Sequence, residues 1–311
     1  MTNVAAVDCG SNSTRLLITD DDGRALHRDM RITRLSQGVD ASGALTAEAL
    51  ARTVAVLGEY RTIMDRFDVS RGLVVATSAV RDAVNGDEFL RAASETTGLE
   101  ARCLRGEEEA RFSLLGATAG LAPSDQPTLV VDIGGGSTEL AALVDGQLEA
   151  FSMQLGCVRV TERALGSDVV TDERRAAAVD MIEAELDRAF ALTPAFTSLV
   201  GGVRLVGVAG TVATLAQLVT GQPTYVREAV HHQTLHRSDV QAWISELGSR
   251  TPAQRLALPG MVPGREDVLV AGLLVLDAVL ARFAVSTFLT SEDDILDGVA
   301  TAVRINGVSP Q

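Results

Sequence analysis

The chain contains an internal repeat, and this repeat limits the folds that it can adopt. Residues 4–18 (VAAVDCGSNSTRLLI) align with residues 128–142 (TLVVDIGGGSTELAA), with Asp8 opposite Asp132. Each copy consists of an apolar strand, a turn of small residues and a second strand, followed by an Asp-Gly hairpin signal. Two copies in the same order, each with the same partner elements, predict two similar domains.

The similarity extends beyond the first hairpin in each half. A third strand follows each hairpin, and amphipathic helices are predicted at residues 46–67 and 171–190. Each half then has a buried strand that ends in a small-residue turn and a helix, at residues 73–81 and 205–213. Both halves therefore have the order β-β-β-α-β-α, and the predicted fold class is α/β.

The predicted domain boundary lies in the segment GATAGLAPSDQP, residues 116–127, where glycine, proline and polar residues are concentrated. We predict domains at residues 1–118 and 119–311. An apolar helix is predicted at residues 265–283, followed by a strand. Ser291 and Asp294 suggest a capping box for a last helix near residues 292–305, which could also pack back on the first domain.

Charge and residue usage exclude several classes of protein. The net charge is −14 and all 27 basic residues are Arg, so a general nucleic-acid binder, a Walker-type P-loop and a Schiff-base mechanism are disfavoured. Three widely spaced cysteines indicate neither a disulfide framework nor a zinc site. His231 and His232, in a strand-like run, are expected to face opposite sides and to be structural.

With no signal peptide and no apolar run long enough to span a membrane, we predict a cytoplasmic protein without membrane partners.

The two repeated turns have the composition of phosphate-binding loops. Glycines allow close approach of the backbone to a ligand, and the hydroxyls of Ser13 and Ser137 add donors. Since Asp8 and Asp132 would repel phosphate, we expect a divalent cation between carboxylates and phosphates, Mg²⁺ or alternatively Mn²⁺. For a single loop, a tight hairpin with Asp capping is an equal alternative, but two matched loops favour the ligand site.

Two further motifs follow the repeated strands. The turns at residues 77–79 and 209–211 open helices, whose N-termini attract anions, and Arg81 suits bidentate phosphate contact. The alternative for Arg81 is a surface residue. In GEEEAR, three carboxylates at residues 107–109 either stabilise a helix start or include one that orients or deprotonates a water molecule.

Taken together, DCGSNS, TSAVRDA, GEEEAR, DIGGGSTEL and AGTVATL resemble the exopolyphosphatase/guanosine pentaphosphate phosphatase (Ppx/GppA) family over essentially the whole chain. This resemblance implies two RNase H-like domains of the actin-like ATPase type with an interdomain cleft. It also implies the short, two-domain form of the family and a homodimer. The stretch at residues 294–298 lacks the Arg that many members carry there, so no site role is assigned to it.

The resemblance also implies roles for individual residues. Glu109, immediately before Ala-Arg, matches the catalytic base. Mg²⁺ would be held by some of Asp8, Asp132 and Glu139. The residues that match phosphate-binding positions, or lie in the turns described above, are Ser11, Asn12, Ser13, Arg81, Gly134, Gly135, Gly136, Ser137, Gly210 and Thr211.

The expected function is an exopolyphosphatase that releases terminal orthophosphate from inorganic polyphosphate. Short polyphosphates are expected to be favoured, because the protein is acidic and resembles the short form of the family. Removal of the 5′ γ-phosphate of guanosine pentaphosphate at the same site is the main alternative. An ATP-dependent kinase and a non-catalytic nucleotide-binding protein of the same fold are more distant ones.

Overall fold

The computed structural model describes residues 3–306, which fall into two compact units. Unit 1 comprises the described residues up to Gly116 and those from Asp294 onward, and unit 2 is Ala117–Asp293. The predicted ranges 1–118 and 119–311 differ from these units at the C-terminal end, because the last helix packs on strands of unit 1.

Unit 1 is built on a five-stranded mixed sheet. Its strands are β1 (Val4–Cys9), β2 (Ser13–Thr19), β3 (Ala25–Ile32), β4 (Arg71–Ala76) and β5 (Glu100–Cys103). Its helices are α1 (Val39–Ser42), α2 (Ala47–Arg66), α3 (Ser78–Arg81), α4 (Gly86–Thr97), α5 (Gly106–Thr118), which runs past the unit boundary, and α13 (Ile295–Asn306). The strand order is β3-β2-β1-β4-β5, with β1, β4 and β5 parallel and the β1-β2-β3 meander antiparallel.

Unit 2 is built on a six-stranded mixed sheet. Its strands are β6 (Thr128–Ile133), β7 (Thr138–Val144), β8 (Gln147–Met153), β9 (Arg204–Val208), β10 (Thr234–His236) and β11 (Thr287–Thr290). Its helices are α6 (Cys157–Val160), α7 (Asp172–Leu192), α8 (Ala209–Thr220), α9 (Arg227–Val230), α10 (Arg237–Gly248), α11 (Pro252–Leu256) and α12 (Leu269–Arg282), with a π-helical turn Thr161–Leu165 and a 3₁₀ helix Pro194–Leu199. The strand order is β8-β7-β6-β9-β11-β10. This order repeats that of unit 1, with β6 in the place of β1, and β10 is an additional strand at the edge.

The central strand of each sheet is apolar because both of its faces are covered. In β1, Ala5 and Val7 face a core cluster formed with α2 and α4, whereas Val4 and Ala6 face a second cluster that includes Val299 of α13. Alternate residues of a strand point to opposite faces, so the uninterrupted apolar run of β1 is explained. The C-terminal end of β1, where the repeated turn begins, is thereby held rigidly.

Most predicted elements are present, and two helix starts need correction. Helices 46–67 and 171–190 appear as α2 and α7, each capped by a threonine side chain that accepts from a backbone N–H three residues on. The helix predicted from residue 265 begins at Leu269. Arg265 lies in the turn before it, and the carbonyl of Arg265 accepts from the N–H groups of Val268 and Leu269.

The capping box predicted with Ser291 is also wrong. Helix α13 begins at Ile295. Asp294 accepts from the N–H of Leu296 at 3.0 Å, and Asp297 accepts from the N–H of Asp294 at 3.0 Å. Asp294 and Asp297 therefore cap this helix, since the box needs its second carboxylate inside the first turn.

The prediction that His231 and His232 face opposite sides is wrong as well. These residues form a turn after α9, with His232 at φ +56°, and their rings stack with centroids 3.7 Å apart. A turn, unlike a strand, can bring adjacent side chains to the same side. No helix between residues 3 and 306 has the length and apolar character needed to cross a bilayer.

Candidate active site

The two repeated turns have the same backbone geometry. In loop 1 (residues 10–13) the N–H of Gly10 donates to the carbonyl of Ser13 at 3.0 Å, and in loop 2 (residues 134–137) Gly134 donates to Ser137 at 3.0 Å. A Cβ at either glycine would lie 3.1 Å from that carbonyl oxygen, which is a tight contact. Each loop is therefore a narrow turn between antiparallel strands, closed in the same way.

Loop 1 is connected to the start of α3 through side chains. The hydroxyls of Ser11 and Ser78 lie 3.0 Å apart, and both side chains are buried. The carbonyl of Asn12 accepts from the N–H groups of Thr33 and Arg34, while its buried Nδ2 has no hydrogen-bond partner. A donor of this kind, buried and unsatisfied, is suited to a ligand acceptor.

Asp8, at the end of β1, is paired with an arginine that the sequence analysis did not single out. Asp8 and Arg15 are opposite each other in the β1–β2 register, and Arg15 Nη2 donates to Asp8 Oδ2 at 2.7 Å. Arg15 Nη1 also donates to Asp294. Burial raises the pKa of Asp8 above its usual value, although the charge of Arg15 opposes this shift. The Oδ1 atom of Asp8 is buried without a hydrogen-bond partner.

Glu109 and Arg81 are brought together in unit 1. Glu109 is 6% exposed, and Arg81 Nη1 donates to its Oε2 at 3.1 Å. The same Nη1 donates to the carbonyl of Leu104 at 2.8 Å, just before α5. The predicted base and the predicted phosphate-facing arginine therefore lie at hydrogen-bond distance from each other.

The three glutamates at the start of α5 have different surroundings. Glu107 is exposed, and Glu109 is buried against Arg81. Glu108 accepts from the N–H of Arg105 at 3.0 Å and from Arg102 Nη1 at 3.2 Å. Burial raises the pKa of Glu108, but the hydrogen bonds from Arg105 and the charge of Arg102 outweigh it, so the pKa is lowered. Glu108 thus caps the helix, and Glu109 is the carboxylate of this turn that the fold buries.

In unit 2, two carboxylates occupy the register positions of Asp8 and Arg15. Asp132 and Glu139 are opposite each other in the β6–β7 pair and are 6% and 1% exposed. Side chains that oppose each other in this way are about 5 Å apart at Cβ. Ser152 donates to Glu139 Oε1 at 2.7 Å. Two ionised carboxylates at this separation repel each other, and a cation bound between them would offset that repulsion.

The oxygen donors fit Mg²⁺ as an expected ligand. Mg²⁺ is bound through one or two carboxylates, with water and substrate phosphate completing its shell. Asp132 and Glu139 supply such a pair within unit 2. Within residues 3–306 no group of three or more His, Cys, Asp or Glu side chains could hold a metal by itself. Water and phosphate oxygens would therefore have to complete the shell.

Loop 2 is packed closely against the start of α6. The N–H of Cys157 donates to the carbonyl of Gly134 at 2.9 Å, and that of Val158 donates to Gly135 at 2.9 Å. A Cβ at Gly156 would overlap Gly135 and Gly136, so only glycine allows this approach. Loop 2 consequently has a fixed backbone beside the buried hydroxyl of Ser137.

The second predicted phosphate turn, at the start of α8, contains a strained residue and a buried arginine. Ala209 has φ +68°, a left-handed conformation that is costly for a residue with a Cβ. The guanidinium of Arg265 fills the space that a Cβ at Gly210 would need. Burial raises the pKa of the Cys157 thiol, and the Thr211 side chain opposes this shift, so the turn lies close to the start of α6 that packs on loop 2.

No functional role was predicted from the sequence for Arg15, Asp294 or Arg265. Arg15 follows the motif DCGSNST directly, so its place in a strand opposite Asp8 was a usable signal. Arg265 and Asp294 had no comparable signal, because each meets its partner only through the fold. The remaining predicted residues lie in or beside the two loops and the two helix starts, as described above.

Comparison with known proteins identifies relatives that match nearly the whole chain. The profile of the Ppx/GppA phosphatase family matches residues 17–302. Exopolyphosphatase 2 of Mycobacterium tuberculosis is 37% identical, with 97% of this chain and 99% of the relative covered. Exopolyphosphatase 1 of Mycobacterium bovis is 31% identical, with 91% and 82% covered.

Solved structures of Ppx/GppA and exopolyphosphatase-like proteins also resemble this chain. The crystal structure of an exopolyphosphatase-like protein has a TM-score of 0.90 at 35% identity, covering 96% of this chain and 98% of the other. The Ppx/GppA protein of Aquifex aeolicus has a TM-score of 0.79 at 28% identity, covering 98% and 99%. These likenesses confirm the predicted α/β fold of two similar actin-like domains and the predicted hydrolase class. The chain belongs to the Ppx/GppA phosphatase family.

Proposed function

We propose that this protein is an exopolyphosphatase that releases terminal orthophosphate from inorganic polyphosphate. The observation that carries the proposal is the burial of Glu109 against Arg81. Of the three adjacent glutamates, Glu109 is the one that is buried, and its partner Arg81 is the arginine predicted to bind phosphate. The exopolyphosphatase relatives that span nearly the whole chain support the choice of substrate.

Glu109 acts as the general base. It accepts a proton from a water molecule whose oxygen forms a bond to the terminal phosphorus, while the bridging P–O bond on the opposite side breaks. The products are one orthophosphate and a chain that is shorter by one phosphate, and Glu109 then returns its proton to solvent. Phosphoryl transfer depends mainly on positioning and charge stabilisation, so no covalent nucleophile is needed.

Arg81 has two functions in this proposal. Its Nη1 holds Glu109 and the carbonyl of Leu104, which fixes the carboxylate relative to β5 and α5. Its charge also favours phosphate oxygens nearby. Further phosphate donors in unit 1 are Ser11, Asn12 and Ser13.

Unit 2 contributes backbone and hydroxyl donors from loop 2 (Gly134, Gly135, Gly136 and Ser137) and from Gly210 and Thr211. Arg265 adds a buried positive charge at the latter turn. Asp132 and Glu139, with Asp8 Oδ1 as a further candidate, would hold Mg²⁺ or Mn²⁺. The ion supplies positive charge that offsets the charge of the phosphate oxygens when it is bound.

The acidic chain favours short substrates. With a net charge of −14, long polyanions are repelled outside the range of the local arginines, and screening limits that repulsion to about 8–10 Å. We expect faster turnover per chain end for a few phosphates than for hundreds. A homodimer and a cytoplasmic location stay predictions.

Orthophosphate release with Mg²⁺ tests the substrate. Tripolyphosphate, guanosine pentaphosphate and ATP are compared at equal concentration. We expect the fastest release from tripolyphosphate. Faster release from guanosine pentaphosphate would assign the alternative substrate to the same residues, and silence on all three would contradict a hydrolase of this kind.

A further inference from the structure

Arg255, in α11, is a fully buried arginine without a carboxylate partner. It is 1% exposed, and none of the ion pairs formed within residues 3–306 includes it. Burial lowers the pKa of its guanidinium, and the charges of Asp168 and Asp267 only partly oppose this. Burying an unpaired charge is costly, so its retention calls for a geometric reason.

Backbone carbonyls satisfy the buried guanidinium. Its Nε donates to Leu247 at 2.8 Å, its Nη1 to Ser167 at 2.9 Å and to Glu266 at 3.1 Å, and its Nη2 to Asp168 at 2.8 Å. Four of the five N–H donors of an arginine are thereby used. No lysine could make this pattern, because it lacks the planar fork.

The four acceptors belong to three separate segments of unit 2. Leu247 is near the end of α10, and Ser167 and Asp168 follow the π-helical turn downstream of loop 2. Glu266 directly follows Arg265, in the turn between Gly264 (φ +86°) and the start of α12. Arg255 is therefore a junction between the segment after loop 2 and the segment that carries Arg265.

The side chain of Arg265 reaches the start of α8 from this turn. Its guanidinium occupies the space beside Gly210. Burial raises the pKa of the Cys157 thiol, and the charge of Arg265 nearby partly opposes this shift. Because a shift of about 1 Å in a binding group can cost a large factor in rate, the backbone at residues 265–266 has to be held firmly. The carbonyl of Glu266, three residues before α12, accepts from Arg255 Nη1 and so ties this backbone to α11.

We propose that Arg255 is a positioning residue for phosphate binding, which holds the segment of Arg265 so that the Arg265 guanidinium lies against Gly210 at the start of α8. The inference rests on the proposed function, since Arg265 is taken to bind substrate phosphate. Arg255 touches no substrate and acts only through Arg265.

A double-mutant cycle tests this dependence. Arg265→Met is expected to raise KM for tripolyphosphate by roughly tenfold or more, as for loss of a charged hydrogen bond. Arg255→Lys, which keeps the charge, is expected to raise KM several-fold while changing kcat by less than about twofold. In the Arg265→Met background, Arg255→Lys is expected to change KM by less than about twofold, because interacting residues are non-additive. Equal effects of Arg255→Lys in both backgrounds would overturn the proposal.

A second readout does not depend on turnover. The Nε–H signal of Arg265 in a ¹⁵N–¹H spectrum reports its environment without substrate. We expect Arg255→Lys to shift this signal and to increase its exchange with solvent, even if polyphosphate is not the substrate. An unchanged signal would overturn the positioning role, whereas failure of the proposed function alone would leave the shift intact.

Arg204→Lys is the matched control. Arg204 also lies in unit 2 and donates to the carbonyl of Ala122 and the hydroxyl of Thr128, at the opposite end of strand β9 from α8. We expect it to lower the melting temperature without altering KM or the Arg265 signal. If Arg204→Lys raised KM as much as Arg255→Lys does, general destabilisation would explain both, and the proposal would be wrong.

Discussion

At the scale of single residues, the start of α5 shows how one turn of helix separates three identical side chains. Glu107 faces solvent, Glu108 binds Arg102 and Arg105, and Glu109 is buried against Arg81. The sequence predicts the turn and its acidic character, but three adjacent glutamates cannot be ranked by helix-dipole arguments. The distinction comes from the fold, which brings Arg81 of α3 to Glu109.

Glu108→Gln is expected to lower the free energy of unfolding by about 0.5–1.5 kcal/mol at neutral pH, the range for one hydrogen bond, because the Glu108 side chain is partly exposed and solvent screens its charge. The pKa of Glu108 is lowered in the folded state, so its contribution is present above its ordinary pKa of 4.5 and is lost as the pH falls through the folded-state pKa. The difference between wild type and variant should therefore shrink in acid.

Denaturant unfolding at several pH values measures this difference. Glu107→Gln, in the same turn and exposed, is the control and should be close to neutral throughout. A difference for Glu108→Gln that stays constant from neutral pH to acid would show that its carboxylate is not stabilised by these partners.

At the scale of elements, the two loops illustrate what a sequence can and cannot predict. Their strands, turns and hairpins follow from alternation and small residues, and Asp145 (φ +52°) with Gly146 (φ +77°) forms the tight turn that the Asp-Gly signal predicts. The sequence-based predictions misplace the start of α12 and the cap of α13, because both depend on local turn geometry that apolar periodicity does not resolve. The Arg265 carbonyl closes a turn before α12, and Asp294 and Asp297 cap α13.

The strained start of α8 leads to a prediction on stability and activity. Removing the Cβ of a residue in the left-handed conformation relieves about 1–2 kcal/mol of strain in the folded state. Glycine loses more backbone entropy on folding than alanine, which costs about 0.5–1 kcal/mol. Ala209→Gly should therefore stabilise the fold slightly while lowering activity, since the phosphate turn loses its rigid geometry.

Ala284, at φ +55° in a turn after α12, is the matched site. Ala284→Gly should give a similar gain in melting temperature without changing the rate of orthophosphate release. Thermal unfolding and a rate assay on both variants make the comparison. A loss of melting temperature in Ala209→Gly, or equal activity of both variants, would contradict a functional role for the strain.

At the scale of the whole molecule, the repeat accounts for both the architecture and the asymmetry of the chemistry. The same register position holds Arg15 opposite Asp8 in unit 1 and Glu139 opposite Asp132 in unit 2. In unit 1 the carboxylate therefore faces an arginine, whereas in unit 2 it faces a second carboxylate, and a metal ion would offset their repulsion. The net charge of −14 is compatible with the proposed polyanionic substrate because arginines lie at the two helix starts that follow the repeated strands, Arg81 in α3 and Arg265 beside the start of α8.

The repeat was visible in the sequence, and with it the family and most of the candidate residues. The contacts of Arg15 with Asp294 and of Arg265 with Gly210 were not, since they join residues far apart in the chain that no periodicity relates. Such contacts arise from tertiary packing, which local patterns do not encode.

The most direct test of the central claim compares Glu109→Gln with Glu107→Gln in orthophosphate release from tripolyphosphate with Mg²⁺. The variants remove one negative charge each from the same helical turn. We expect Glu109→Gln to lose roughly 10²–10⁴-fold in kcat, the usual scale for a general base, while binding tripolyphosphate as tightly as wild type in calorimetry. Glu107→Gln should keep the wild-type rate. Full turnover by Glu109→Gln, or an equal loss in both variants, would show that Glu109 is not the base.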